Sequence, residues 1–365
     1  MIGRAFELFT RRIDGPLMAT LALIVALGAT VVYSASGGAS MGRVFDQMRN
    51  LAVAFVALWI LAQIHPQVLM RLALPVYAIG VALLVGVALF GDVRNGARRW
   101  LNLGFATVQP SEIMKIAMPL MLAWYFHRQE EGMRLRTFVI AALLLAIPAG
   151  LIARQPDLGT AILVFASGFF VIFLAGLSWK VIGGLTVAGA ASLPFLWGML
   201  HEYQRQRVLT LFDPMQDPLG AGYHIIQSTI AIGSGGILGK GWLNGTQAQL
   251  DFLPERHTDF IFAVFGEEFG LVGNMILVLL YLLLIGRGLM IAGTASTVFA
   301  RLTAGAITLT FFTYAFVNMG MVTGILPVVG VPLPMISYGG TALLSILAGF
   351  GILMSISTHK QLVQS

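Results

Sequence analysis

Long apolar runs, each ending in a short polar or glycine- and proline-rich break, organise this chain almost from end to end. A helix that crosses a bilayer needs about 20 mostly apolar residues, and only helices or closed barrels satisfy their own backbone groups in lipid. The runs are continuous and lack the period-2 alternation of a barrel strand. They predict about ten spanning helices, near 16–36, 48–65, 70–91, 111–127, 137–153, 158–177, 180–200, 260–286, 302–326 and 336–357. The second has the shortest apolar stretch, Leu51 to Ile64, and the fourth contains Lys115. No internal repeat is evident, which counts against a transporter built from two inverted halves. The expected fold is an all-α polytopic membrane protein, a single integral membrane domain over residues 1–365. The long connection 201–258, between the seventh and eighth helices, is rich in Gly and Pro but carries Phe212, Tyr223, Trp242 and Phe252. It is too apolar for a disordered linker and reads as a folded outer cap on the bundle.

Composition strengthens this picture. The chain is 58% hydrophobic and 10% charged, with mean hydropathy +0.86, whereas a soluble domain carries roughly 25% charged residues. The absence of cysteine excludes disulfides and thiolate metal sites. A net charge of +6 fits basic inner loops and gives no reason to expect nucleic acid. The first run follows Arg4, Arg11 and Arg12 and is expected as a signal anchor rather than a cleaved signal. With a cytoplasmic N-terminus, ten spans return the C-terminus to the cytoplasm, the basic residues favour the inner loops, and the protein is placed as multi-pass in a bacterial inner membrane. Of 16 acids, only Glu7, Asp14, Glu130 and Glu131 then fall inside. The chemistry is therefore expected at the outer end.

Four polar clusters lie there. One runs from Gly96 through Arg98, Arg99 and Trp100 to Gln109-Pro110-Ser111-Glu112-Ile113-Met114-Lys115. Pro110 can open a helix, which puts Glu112 and Lys115 at i and i+3 on one face. They read either as a local ion pair or as ionisable groups facing a polar cavity. Arg154-Gln155-Pro156-Asp157-Leu158-Gly159-Thr160 is the second, and Asp157 reads equally as a helix cap. The third is spread through the cap, with Arg205, Arg207, His224 and the segment Asp251 to Phe260. The fourth, Gly324 to Thr341, has prolines and glycines that break helix where two spans meet, which is tolerated only where backbone is buried in protein or lines a cavity.

No Walker loop, His-Glu-x-x-His helix or Gly-x-Ser-x-Gly elbow occurs. Acids and bases around a wet cavity remain, a pattern suited to phosphate-bearing substrates held by Arg and Lys beside a carboxylate that takes a proton. Four strings then become specific: Gln109-Pro110-Ser111-Glu112-x-x-Lys115, Gln155-Pro156-Asp157-Leu158-Gly159-Thr160, Leu253-Pro254-Glu255-x-His257-Thr258-Asp259-Phe260, and the run from Thr323 to Gly340. In this order they resemble the shape, elongation, division and sporulation (SEDS) family of bacterial cell-wall polymerases. Asp251–Arg256 and Gly239–Thr246 are more similar to its elongation members than to its division members.

The resemblance implies a peptidoglycan glycosyltransferase that takes lipid II as donor and acceptor and releases undecaprenyl diphosphate. It also implies a class B penicillin-binding transpeptidase partner, the elongation machinery around it, and a divalent cation (Mg or Mn) whose site the sequence does not give. Asp259 matches the family's essential aspartate, and Glu112 and Lys115 match polar residues of its cavity. On chemical grounds Asp259 is expected as the base, with the alternative that it caps the eighth span. Lys115, Arg99 and Arg207 are expected on the diphosphate, and Asp157 and Ser337 among the substrate-binding groups. A lipid II flippase and an ion-coupled transporter are the rival classes. Lys115 and Asp259 are expected to meet in one outer cavity that opens sideways to membrane lipid.

Overall fold

The computed structural model describes residues 12–37, 41–94, 97–102, 107–129, 134–155, 157–199, 202–218, 220–250 and 252–359. The elements in chain order are α1 (Gly15–Ala35), α2 (Met41–Gln63), α3 (Pro66–Phe90), β1 (Asp92–Arg94), β2 (Ala97–Asn102), β3 (Thr107–Val108), α4 (Pro110–His127), α5 (Leu135–Ala153), α6 (Leu158–Leu174) and α7 (Trp179–Met199). Next come α8 (Glu202–Phe212), a 3-10 turn (Pro214–Gln216), α9 (Ala221–Gly235), α10 (Thr246–Gln249), α11 (Ile261–Gly293), α12 (Val298–Val322) and α13 (Gly340–Thr358). Each expected span coincides with a helix. Among the described residues, seven helices are long and apolar enough to cross a membrane, and α6 is a shorter apolar one. The fold is all-α and polytopic.

Local chemistry sets the ends of these helices. Asp14, His65, Asp157 and Thr297 each accept a hydrogen bond from an early backbone N–H at N-cap positions, and Pro66 and Pro110 open α3 and α4. The second span begins earlier than expected, at Met41 instead of 48. Its first turns carry Arg43, Asp46 and Arg49, which delayed the apolar signal, and Asp46 and Arg49 pair on the exposed surface at 3.1 Å. Glu7, Glu130, Glu131, Lys360 and both chain ends, used above to argue sidedness, lie outside the described residues.

Two features were not foreseen. β1, β2 and β3 form a three-stranded antiparallel sheet in the order β1-β2-β3. The long connection, expected as a folded cap, is one, and its regular structure, which the sequence did not signal, is helical in α8, α9 and α10. The strap after α9 docks on a break in α11, where Gly270 leaves helical geometry. Leu271 and Val272 N–H donate to the carbonyls of Gly236 and Ile237, at 3.0 and 3.1 Å, while Lys240 and Gly241 N–H donate to those of Glu267 and Glu268, both at 3.0 Å. Lys240 Nζ reaches the wholly buried Glu267 at 2.7 Å. The cap is thus hydrogen-bonded into the bundle.

At the opposite end, Asp14 ties three helices together. It caps α1, accepts both Arg287 of α11 (3.0 and 2.6 Å) and Ser357 of α13 (2.6 Å), and is buried. Burial pushes the Asp14 carboxyl up, but the bonds from Arg287, Ser357 and Leu17 N–H outweigh it and hold the group below its ordinary value. A depressed carboxyl contributes stability that is present at neutral pH and is lost as pH falls through its folded pKa. Arg287→Ala should therefore lower stability by about 1–3 kcal/mol, the cost of an unpaired buried acceptor. Thermal unfolding in detergent should show this loss at pH 7 and a smaller one at pH 3; equal losses at both would refute the pairing.

Candidate functional site

The turn entering α11 is the centre of the cap end. Its carbonyls at three successive residues are taken by three donors from α12 and the loop after it. Tyr338 N–H donates to His257 O (2.7 Å), Ser337 Oγ to Thr258 O (2.6 Å) and Asn318 Nδ2 to Asp259 O (2.8 Å). Asn318, fully buried, also donates to Val331 O at 2.7 Å, and Ser337 Oγ accepts from Leu333 N–H at 2.7 Å. Within the turn, Thr258 Oγ1 and N–H bond to the side chain and backbone of Glu255. This clamp fixes where Asp259 stands.

The Asp259 side chain enters a cavity of about 280 Å³ walled by Arg207 and Thr210 of α8, His224 of α9, Glu255 and Gly330. Gly330 has φ +73°, and a Cβ there would lie 3.3 Å from Asp259 Oδ2. A side chain at that position would be strained and would crowd the carboxylate. Burial, then the charge of Glu255, raise the Asp259 pKa to about 6, with Arg207 pulling the other way. His224 stacks on Phe260 at 5.4 Å, and burial pushes its imidazole down. The arrangement offers a carboxylate poised near neutral pH beside a cation, suited to taking a proton from a bound hydroxyl.

The other expected residues sit elsewhere. Lys115 does not share this cavity. Its Nζ is 2.7 Å from Glu112 Oε1 and 5.1 Å above the Tyr314 ring, while Ser345 Oγ donates to Glu112 Oε2 at 2.8 Å. The local ion-pair reading is what the geometry shows: the pair is turned between α12 and α13, against Phe311 and Ile346, and so is neutralised away from Asp259. Glu112 and Gln109 instead border a separate cavity of about 390 Å³ between α2, α4 and α13, largely apolar. Asp157 caps α6 through Thr160 N–H (3.2 Å), accepts Gln109 Nε2 (3.3 Å) and lies 3.8 Å from Arg99 on β2. Arg99 therefore attends Asp157, and Arg207 is the expected cation that lines the Asp259 cavity. Ser337, expected at substrate, is buried with its hydroxyl both donating and accepting inside the clamp, which leaves it a structural task.

Sequence reasoning missed Asn318, Glu255 and Gly330 as parts of this site, and missed the buried Glu267 and Glu268. An asparagine and two glutamates within apolar runs were the available signal. For a metal, the donors were tested directly. Among the described residues no three His, Asp or Glu side chains gather as a cage, so the site does not fit a closed protein-ligated metal. Two carboxylates, Asp259 and Glu255, do face one cavity, which fits an ion of the Mg²⁺ type that keeps water and substrate phosphates in its shell.

The structure is a polytopic helical bundle of apolar membrane-spanning helices that holds a clamped carboxylate under a folded cap. Residues 15–362 match the FtsW, RodA and SpoVE cell cycle protein family, and the chain belongs to that family. It is 54% identical over 352 residues to the peptidoglycan glycosyltransferase MrdB of Escherichia coli (strain K12), covering 96% of this chain and 95% of that one. To a probable peptidoglycan glycosyltransferase FtsW of Geobacter metallireducens it is 36% identical over 372 residues, covering 98% of each. Among solved structures it resembles a chain of a peptidoglycan synthase complex that coordinates polymerization and crosslinking, with TM-score 0.82, 35% identity and coverage of 96% and 99%. The rod shape determining protein RodA of Thermus thermophilus gives TM-score 0.72, 30% identity and coverage of 96% and 98%.

Asn318→Leu should free the carbonyls of Asp259 and Val331 at about 1–3 kcal/mol each. Hydrogen exchange at the amides of 255–262 is then expected to quicken while α1 and α2 stay unchanged; unaltered exchange in the turn would refute the clamp.

Proposed function

We propose that this chain is a peptidoglycan glycosyltransferase that polymerises lipid II into glycan strands at the outer face of the bacterial inner membrane, serving cell elongation and rod shape. The observation that carries this reading is the Asp259 carboxylate, held in a walled cavity with its pKa near 6 beside Arg207. The likeness to the E. coli glycosyltransferase supports it. The basic inner loops support a cytoplasmic N- and C-terminus, which puts the cap outside.

In the reaction, the acceptor sugar hydroxyl lies against Asp259, which takes its proton as the oxygen bonds to the anomeric carbon of the donor. The bond from that carbon to the diphosphate oxygen breaks, and undecaprenyl diphosphate leaves with the electron pair. Arg207 stabilises the leaving charge across the cavity, and Asp259 then returns its proton to solvent. A Mg²⁺ or Mn²⁺ ion held by Asp259 and Glu255 with water would supply further neutralisation of the diphosphate. Glu112 borders the separate, largely apolar cavity and is assigned to the approach rather than the reacting centre, with Lys115 paired to it and Arg99 paired to Asp157. The complex that couples polymerization to crosslinking supports a class B penicillin-binding transpeptidase as partner.

The test is purified full-length protein, with and without that partner, given labelled lipid II and run on a gel. Glycan ladders are expected; movement of lipid II between leaflets without ladders would favour a flippase, and neither would favour a transporter or scaffold. Asp259→Asn should cut ladder formation about 10²- to 10⁴-fold, and wild-type rates from this variant would sink the base assignment. Because the base works ionised, activity should rise through pH about 6 and level off above it. Arg207→Gln removes the group that lowers the Asp259 pKa, so its rising limb should move to higher pH; Glu255→Gln should move it lower. A limb that both variants leave in place would assign the ionisation to another group.

A further inference from the structure

At the end of the bundle opposite the cap, the tips of α3, α4, α12 and α13 surround a cavity of about 110 Å³ that the polymerisation reading does not use. Its polar lining includes three imidazoles, His65, His127 and His359, with Gln67, Ser296 and Thr297. Among the described residues no carboxylate lines it. The two nearest imidazoles are held in opposite tautomers by their own backbone. His359 Nδ1 lies 2.9 Å from Ser355 O, and because a carbonyl only accepts, that nitrogen carries the hydrogen. Its Nε2 is therefore a bare lone pair, and among the described residues that atom is buried without a hydrogen-bond partner. His65 Nδ1 instead accepts Gln67 N–H at 3.2 Å, which leaves the hydrogen on His65 Nε2. The two rings stand edge to face at 4.8 Å.

The walls thus set the His359 Nε2 lone pair beside several donors, with the Gln67 amide and the Ser296 and Thr297 hydroxyls able to accept as well. The donors are His65 Nε2–H, the Ser296 hydroxyl and the earliest N–H groups of α12, ahead of Ala300, whose own N–H is taken by Thr297 Oγ1. Burial, helped by Arg12, pushes the His359 imidazole below its ordinary value and keeps the lone pair available. Exposed Arg71, Arg128 and Arg301 each follow a lining residue directly in sequence. Pro66, Met70, Phe299, Ala300 and Ile356 form the apolar part of the lining.

A ligand that satisfies this lining presents an N–H donor and an anionic acceptor a few atoms apart, at a membrane surface. We propose that the cavity seats a phospholipid head group carrying both a phosphate and a primary ammonium, the phosphoethanolamine chemistry. The ammonium donates to His359 Nε2. The phosphate accepts from His65 Nε2–H and the start of α12, while the acyl chains follow the apolar flank.

The experiment uses the full chain in phosphatidylcholine nanodiscs doped with phosphatidylethanolamine or phosphatidylglycerol, with soluble phosphoethanolamine and inorganic phosphate as further arms. Lipid retained on native mass spectrometry and the unfolding midpoint are read together. Phosphatidylethanolamine is expected to be retained about tenfold better than phosphatidylglycerol, the effect of one well-made hydrogen-bonded contact. His359→Phe, which keeps a ring but removes the acceptor, and independently His65→Phe, should each abolish that preference without lowering lipid II polymerisation in detergent. Equal stabilisation by soluble phosphoethanolamine would support the head-group chemistry and assign it to a soluble ligand. A preference that survives both substitutions, or equal retention of all lipids, overturns the proposal.

Discussion

Non-helical backbone at the mouth of a helical bundle must find its hydrogen bonds inside the protein, because lipid supplies none. Here that constraint falls on the turn ahead of α11, and three successive carbonyls are given to Tyr338, Ser337 and Asn318. The donors hold their own loop as well, since Ser337 also accepts from Leu333 and Asn318 also donates to Val331. Turn and loop are therefore one body. Gly330, within that loop, is placed over the Asp259 carboxylate as a result. The backbone fixes Asp259, so its side chain can be left poorly compensated.

That freedom distinguishes Asp259 from the other buried acids. Glu112 has Lys115 and Ser345, Glu267 has Lys240 and Thr246, and Asp14 has Arg287 and Ser357. Each of these pairs offsets the desolvation of two charges by hydrogen bonding them, and removing one partner would leave a buried charge. Asp259 instead faces Glu255, a like charge, with Arg207 across the cavity. Glu112, Glu267 and Asp14 hold helices together through their partners; Asp259, set against Glu255 at the mouth of a cavity, is a carboxyl whose proton can move near neutral pH.

The span pattern was legible because lipid demands long apolar runs, and helix caps such as Pro110 and Asp157 were legible because they act within one turn. The start of α2 was not, since Arg43, Asp46 and Arg49 form exposed helix that hydropathy cannot register. The strands over 92–108 were hidden in a segment chosen for its charges. Asp259 was legible as a string of residues, while its surroundings were not. Arg207 was expected beside it, but His224, Asn318 and Gly330 come from three further stretches of chain, and only tertiary packing brings them to one place. Lys115 shows the converse. An i, i+3 carboxylate was visible in the sequence, but which neighbouring helices the pair would turn toward was not.

The cavity around Asp259 has walls anchored in two different ways. Its floor, the turn with Gly330 beneath it, belongs to the clamp built on α12. Its roof, with Arg207, Thr210 and His224, comes from α8 and α9 of the cap. The roof is tied to the bundle through the strap on the broken stretch of α11, where Gly236 and Ile237 take the N–H groups of Leu271 and Val272 and Lys240 reaches Glu267. The helix leading into it, α7, is exposed along most of its length, with Leu185, Val187 and Phe195 outward. A floor held by short bonds keeps the reacting carboxylate in register. Within the roof, α9 packs on α11 and its Ser228 Oγ donates to Val322 O at 2.9 Å, whereas α8, with Arg207 and Thr210, rests mainly on α9 and the 3-10 turn, so widening the cavity for a large tethered substrate costs less on the α8 side.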